Sequence, residues 1–191
     1  NKKSAIEHLN DIKGNSFILG KWLFEERRLK ESLQYLRPAA NDLNTPDVWR
    51  LLAQLCYSIY EETKSIEYLQ ESFESSLNGL SVSNKDTLAF ALRILRILLR
   101  KGNQQIYQSF ENRIHSLDVT SWITVLPQII AKCNTNDEKL RKILGDLLEA
   151  VGLSHPHPVL YGLLVPLCEV SSRQELAAGL FDKMRSEYPS I

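Results

Sequence analysis

Several residue types are scarce in this 191-residue chain, and each scarcity excludes a class of protein. Three cysteines, Cys56, Cys133 and Cys168, lie far apart and give neither a disulfide framework nor a metal-ligand spacing. Basic and acidic residues both number 23, so the basic excess of a nucleic-acid coat is absent. No apolar run approaches the roughly 20 residues that span a bilayer. We therefore expect a protein of the cytoplasm, with the nucleus as a second compartment, and without direct nucleic-acid binding or membrane insertion.

Glycine and proline are also sparse, and between them apolar residues recur every three to four positions. This period is that of amphipathic helices, whereas the alternation typical of strands is almost absent. The pattern predicts helices over residues 16–29, 30–41, from Thr45 onward, 63–77, 87–99, 104–117, 119–133, 136–151, 159–170 and 171–188. The predicted fold class is therefore all-α.

Local signals predict where several of these helices begin and end. Thr45-Pro46-Asp47 supplies an N-cap, a proline at the first helical position and an acid in the first turn. Asn78-Gly79 and Gly152 should each follow a last helical turn, because glycine favours that position. Pro38 should bend or shorten the second helix, since proline lacks an amide donor.

Short connections between so many helices predict stacked antiparallel helix pairs. The expected architecture is an α-solenoid with degenerate repeats of the TPR or HEAT kind. We expect a single helical-repeat region over residues 1–191, with a softer boundary near residues 79–86. Because the chain lacks an initial Met and ends abruptly at Ile191, we expect a fragment of a longer protein.

No group of residues forms a recognisable catalytic, nucleotide or metal site. Neither a P-loop nor a dinucleotide fingerprint is present in the sequence. The histidine pair in His155-Pro156-His157-Pro158 lacks further ligands at metal spacing, and its prolines favour a stiff extended connector between helices. The three cysteines lie among apolar residues and are predicted to be buried and unreactive. We therefore predict no catalytic residues, no metal and no cofactor for this segment.

Arg93, Arg96 and Arg100 are spaced three and four residues apart and so share one helix face. Such a face could bind a phosphate or an acidic partner, because the guanidinium fork matches both anions. A solvated helix face is the competing interpretation, and the zero net charge favours it. The three arginines are the candidates for an anion site.

Large side chains inside the apolar patterns are candidate structural anchors. Trp22, Trp49 and Trp122 should pack in the core because each follows the helical spacing of its neighbours. Pro127 either kinks the predicted helix or marks the first turn of a helix that begins later. His155 and Pro156 are the remaining predicted anchors.

The segment SWITVLPQIIAK, residues 121–132, resembles the Trp-x-x-x-(Ile/Leu)-Pro-Gln-(Leu/Ile) stretch in the FAT region of phosphatidylinositol-3-kinase-related protein kinases. The helix over residues 91–99 is similar to the Leu-Arg-x-Leu helix that precedes this stretch. His155-Pro156 and Val159-Leu160-Tyr161 resemble the turn that follows, although Tyr161-Gly162 stands where the family commonly has Tyr-Pro. The resemblance is clearest over residues 87–191. Within this family, the helix over residues 91–99 and the C-terminal segment of the chain slightly favour a resemblance to the kinase of nonsense-mediated mRNA decay. TOR kinase is the near second.

This resemblance implies a non-catalytic helical scaffold. A FAT region clamps and positions the Ser/Thr kinase domain of its own chain and docks regulatory subunits, here in nonsense-mediated mRNA decay or TOR signalling. The kinase domain would lie beyond Ile191 and use ATP and magnesium. Family members also bind inositol hexakisphosphate on basic side chains, but Asp47 and Arg50 near Trp49 do not form the basic cluster required. The competing hypothesis is a stand-alone helical-repeat adaptor that binds a peptide or protein partner.

Overall fold

A computed structural model describes residues 15–85, 87–167 and 172–188. Within these ranges the chain forms α-helices and 3-10 segments, and no strand. The helices are α1 (Asn15–Glu25), α2 (Leu29–Leu43), α3 (Pro46–Thr63), α4 (Ile66–Val82), α5 (Leu88–Lys101), α6 (Gln104–Arg113), α7 (Leu126–Lys132), α8 (Glu138–Ser154), α9 (Pro156–Leu167) and α10 (Ser172–Glu187). Two 3-10 segments, Ile114–Ser116 and Val119–Val125, connect α6 with α7. The predicted all-α class is confirmed.

The chain divides into two compact units between Ile94 and Leu95, within α5. In the first unit α1 packs on α2, α2 on α3 and α3 on α4. In the second unit α7 packs on α8, α8 on α9 and α9 on α10. Helices therefore stack in chain order inside each unit, as the sequence predicts for helical repeats.

Buried serines join neighbouring helices of the first unit. Ser32 Oγ on α2 donates to the Gly20 carbonyl of α1 at 2.7 Å, and Ser72 Oγ on α4 donates to the Ala53 carbonyl of α3 at 2.7 Å. These bonds require close helix backbones, which small residues permit. A Cβ at Gly20 would lie 2.7 Å from the Leu36 side chain, so only glycine fits there without a shift.

Left-handed residues close the three turns between α1 and α4. Arg27, Asn44 and Lys64 have φ values of 62°, 45° and 57°. The Lys64 and Asn44 amides donate back to the preceding helices, which satisfies carbonyls at the helix ends. The Asn44 side chain also accepts a hydrogen bond from Trp49 Nε1 at 2.8 Å, so this turn is tied to the next helix.

Local helix-end predictions had mixed outcomes. The start at Thr45-Pro46-Asp47 is confirmed, although the Thr45 side chain makes no capping bond. The predicted shortening at Pro38 is wrong, because the proline lies on the exposed face of α2 and the helix continues. The predicted stops at Gly79 and Gly152 are also wrong, since both glycines are buried within helices α4 and α8.

These two glycines instead allow close contacts between helices. A Cβ at Gly79 would lie 2.2 Å from the Phe90 ring, and a Cβ at Gly152 would lie 3.1 Å from Met184 Sδ. The missing side chain therefore leaves the space that each neighbour fills. Sequence reasoning about helix ends does not detect this role, because the contacting residue lies elsewhere in the chain.

No helix within the described ranges combines the length and the apolar character that a membrane span requires. Cys168 and the last three residues of the predicted helix 159–170 lie outside the described residues.

Candidate functional site

The three arginines of the predicted anion site lie on the continuous helix α5. Arg96 and Arg100 are exposed, whereas Arg93 is half-buried. Arg100 and Lys101 occupy the last turn of α5, where the helix dipole favours positive charge. The dipole gives these cations a structural role at the helix end, and anion binding by the arginines stays a prediction.

The three tryptophans differ in burial. Trp122 is fully buried and meets the Phe110 ring edge-on, with centroids 5.6 Å apart and an interplanar angle of 87°. Trp49 is also buried and donates to Asn44, as described above. Trp22 is only half-buried. The indole Nε1 of Trp122 has no hydrogen-bond partner among the described residues.

Pro127 lies in the first turn of α7, so the second of its two predicted roles is the one observed. The continuous α-helix predicted over residues 119–133 is wrong, because residues 119–125 form a 3-10 helix instead. Proline suits the first turn of a helix, where its missing amide hydrogen would have no partner.

The predicted stiff connector at His155-Pro156-His157-Pro158 is wrong. Only His155 is non-helical, with φ −137° and ψ 74°, and α9 begins at Pro156. Both prolines fall in the first turn of α9, where amide donors have no helical acceptor, so proline costs no hydrogen bond there. His155 and Pro156 therefore mark a sharp helix-to-helix turn rather than an extended spacer.

The described cysteines are unsuited to catalysis. Cys56 and Cys133 are buried and form no disulfide bond. Burial is the main cause that raises the pKa of the Cys56 thiol far above its ordinary value, so the nucleophilic thiolate is not formed at neutral pH. The described ranges also contain no cluster of three His, Cys, Asp or Glu side chains that could hold a metal ion.

Two open grooves lie on either side of α8 in the second unit. The α8–α10 groove has a volume of about 390 Å³ and is lined by Arg141, Glu149, Gly179 and Lys183, among others. The α6–α8 groove has a volume of about 300 Å³ and is lined by side chains that include Phe110 and His115. Lys142 and Asp146 line both grooves and so form the ridge between them.

Opposite charges balance along this ridge. Lys183 Nζ of α10 lies 2.6 Å from Glu149 Oε2 of α8, and Lys139 Nζ lies 3.7 Å from Glu111 Oε2 of α6. Lys142 and Asp146 are exposed. Because both basic and acidic groups line each groove, the grooves resemble a protein-contact surface more than a phosphate cradle.

A hydrogen-bonded pair fixes the start of α8. The Asp137 carboxylate accepts from the Leu140 backbone amide at 3.0 Å and from Tyr107 Oη at 2.8 Å. These two hydrogen bonds stabilise the carboxylate and so lower the pKa of Asp137, and the bond from the Leu140 amide has the larger effect. The pKa of Tyr107 is raised to about 12, mainly because the phenol is partly buried and secondly because it donates its hydrogen bond to Asp137. This pair ties α6 to the N-terminus of α8 and so positions both grooves.

The α8 ridge was not predicted from the sequence. A partial signal exists, since Glu138, Lys142, Asp146 and Glu149 recur at helical spacing on a polar stripe. That stripe indicates an exposed helix face. The groove itself depends on α10, which begins 34 residues after Glu138, so spacing within α8 could not reveal it.

Comparison with known proteins identifies relatives among large protein kinases. The chain is 31% identical over 102 residues to serine/threonine-protein kinase TOR of Oryza sativa subsp. japonica, covering 52% of this chain and 4% of that protein. It is 25% identical over 126 residues to serine/threonine-protein kinase mTor of Drosophila melanogaster, covering 65% of this chain and 5% of that protein. It is 21% identical over 132 residues to serine/threonine-protein kinase Smg1 of Drosophila melanogaster, covering 62% of this chain and 4% of that protein. No family model matches the chain.

The resemblance stated from the Trp122–Pro127 stretch is confirmed: the chain is homologous to a segment of the phosphatidylinositol-3-kinase-related protein kinases. Its relatives within that class include TOR kinases and Smg1 kinases. The two TOR kinases above are more similar to it than Smg1 is, so these identities do not favour the decay-kinase branch. The chain spans only 4–5% of the length of these relatives.

Proposed function

We propose that this chain is a non-catalytic helical scaffold, the FAT region of a kinase of the TOR type. In this role it clamps and positions the Ser/Thr kinase domain of its own parent chain. The observation that carries the proposal is the homology to a small segment of very large kinases, in a chain whose described residues are packed helices. A role in nonsense-mediated mRNA decay is the weaker version of the same proposal.

The chemistry of the described residues supports a scaffold. Catalysis requires a nucleophile, base or metal held together in one place. Here burial raises the pKa of the Cys56 thiol, and the α8–α10 groove is lined by equal numbers of basic and acidic side chains. ATP and magnesium therefore belong to the kinase domain in this proposal. The purified chain should neither bind ATP nor phosphorylate peptides, and turnover that survives stringent purification would refute the scaffold role.

The proposed partners are the kinase domain of the parent chain and its regulatory subunits, in the cytoplasm. The α8 ridge is the first surface to test, because an exposed lysine and an exposed aspartate border both grooves. Inositol hexakisphosphate is a further proposed ligand, with the arginines of α5 as its candidate contacts.

A co-purification experiment tests the scaffold role. The chain is expressed together with the kinase domain of the same parent polypeptide, and retention of that domain on the tagged chain is measured. We expect stable retention, weakened by Lys142→Glu because the reversal changes the charge of both grooves. Lys30→Glu, an equivalent reversal at an exposed position of α2, should leave retention unchanged. Failure to retain the kinase domain would contradict the proposal.

The alternative function is a stand-alone helical adaptor that binds a peptide or protein. The open groove between α8 and α10 favours it, since helical repeats bind partners on such surfaces. An adaptor would be encoded without a kinase domain, so the complete transcript separates the two functions.

A further inference from the structure

The 3-10 segment Val119–Val125 is unusually long. It spans seven residues, whereas 3-10 runs longer than three or four residues are uncommon because their hydrogen bonds have poorer geometry. Its start is fixed by Asp118, whose carboxylate accepts a hydrogen bond from the Thr120 amide at 3.0 Å. Its end is followed directly by α7. A stretch of this kind requires a local cause.

Pro127 supplies that cause. In an α-helix the Ile123 carbonyl would accept a hydrogen bond from the residue four positions later, which is Pro127 and has no amide hydrogen. The carbonyl instead accepts from the Leu126 amide, which is the three-residue bond of a 3-10 helix. The proline therefore removes the bond that would extend α7 backwards through the segment.

The apolar pattern of the same residues nevertheless follows the α-helical period. Trp122, Val125, Leu126 and Ile129 recur at the spacing that places them on one face of an α-helix. All four are buried in the structure. The side-chain pattern thus suits an α-helix, while the backbone adopts the 3-10 form.

The side chain at the centre of the segment is incompletely satisfied. Trp122 is fully buried, yet its Nε1 has no hydrogen-bond partner among the described residues. A buried donor without an acceptor costs free energy, which would be recovered if the indole reached water.

We propose that Val119–Val125 is a conformational switch between the observed 3-10 helix and an α-helix, and that Pro127 holds it in the 3-10 state. Conversion to an α-helix would shorten the seven-residue segment by about 3.5 Å, because the rise per residue is about 2.0 Å in a 3-10 helix and about 1.5 Å in an α-helix. It would also rotate Trp122 by roughly 80° relative to α7, since the two helix types differ by about 20° per residue. The indole would leave its position beside Phe110, and the ends of α6 and α7 would draw closer.

Tryptophan fluorescence tests this switch in the 191-residue chain. Trp22→Phe and Trp49→Phe leave Trp122 as the only tryptophan, which is excited selectively at wavelengths that tyrosine does not absorb. Pro127→Ala restores an amide donor to the Ile123 carbonyl, so we expect red-shifted emission and about a twofold rise in acrylamide quenching. Pro38→Ala, at an exposed proline of α2, is the matched control and should change neither signal.

A second variant keeps the test decisive if Pro127→Ala does not fold. Thr124 is exposed, so Thr124→Ala raises the α-helical propensity of the segment without altering the core. It should increase quenching in the same direction with an unchanged melting temperature. If the folded variants leave the emission and quenching of Trp122 unchanged, the segment is a fixed 3-10 helix and the proposal is overturned.

Discussion

The two units of the chain end and begin their helices by different means. In the first unit the turns between α1 and α4 contain left-handed residues, and the N-cap residues of α2, α3 and α4 make no side-chain capping bond; they are Arg28, Thr45 and Ser65. In the second unit polar side chains cap the starts of three helical segments, with acceptor distances of 2.9–3.0 Å; they are Asn103, Asp118 and Asp137. Prolines occupy the first turn of helices in both units, at Pro46 in the first and at Pro127 and Pro156 in the second.

This difference shows which forces set the geometry in each unit. In the first unit helix packing dominates, since buried serines and small residues bring long helices together and the turns adapt. In the second unit side-chain caps fix where helical segments begin, and the grooves beside α8 depend on one of those starts. Loss of a capping side chain should therefore matter more in the second unit than in the first, whereas loss of a buried side chain should be costly in both.

The largest effect is expected from the buried anchor of the second unit. Trp122→Ala should lower the free energy of unfolding by about 3–5 kcal/mol, because a fully buried aromatic side chain is lost. Trp22→Ala should cost clearly less, since that ring is only half-buried. Chemical denaturation of both variants measures the difference, and equal losses would contradict the assigned burial.

A pair of glycines tests packing next. Gly79→Ala should destabilise by about 1–3 kcal/mol, because the new Cβ would lie 2.2 Å from the buried Phe90 ring. Gly179→Ala meets no atom within 4 Å and lies inside helix α10, so it should stabilise by about 0.5–1 kcal/mol. Opposite shifts in melting temperature are expected, and shifts of the same sign would refute this packing account.

The N-cap of α8 should make the second unit sensitive to acid. The folded-state pKa of Asp137 lies below its unfolded value, so its stabilising contribution is present above the unfolded pKa of about 3.9 and is lost as pH falls through the folded pKa. Asp137→Asn keeps a capping acceptor but does not titrate there. Its melting temperature should fall less than that of the original chain below pH 4. Equal acid sensitivity would show that this carboxylate does not control the response.

The smallest effect is expected from a surface ion pair of the first unit. Arg37 donates through Nε and Nη2 to both carboxylate oxygens of Glu71, at 2.6 Å each. The guanidinium is about half exposed, so Arg37→Ala should cost no more than about 1 kcal/mol. Denaturation at low and high salt measures this cost, which should shrink as salt screens the pair. A loss as large as that of Trp122→Ala would contradict this ranking.

The sequence predicts much of the first unit and less of the second. Apolar periodicity finds the helices because each long helix buries one face, and the Thr45-Pro46-Asp47 start follows from backbone chemistry. Gly79 and Gly152 were misassigned because their packing partners are distant in the chain. The 3-10 form of residues 119–125 was missed because a proline after the segment overrides its apolar period.

The candidate site was the least predictable part. The arginines of α5 were identified from spacing alone, whereas the α8 ridge needs α6 and α10 beside it. Grooves arise from tertiary packing, and spacing within one helix carries no information about the neighbouring wall. The resemblance quoted around Trp122 and Pro127 did point to the class to which the chain's relatives belong.

The complete transcript that encodes this chain gives the most direct test of the scaffold account. Its reading frame should continue past Ile191 into a Ser/Thr kinase domain with a catalytic loop and magnesium ligands. A reading frame that encodes these helices without any kinase domain would contradict the account and support the stand-alone adaptor.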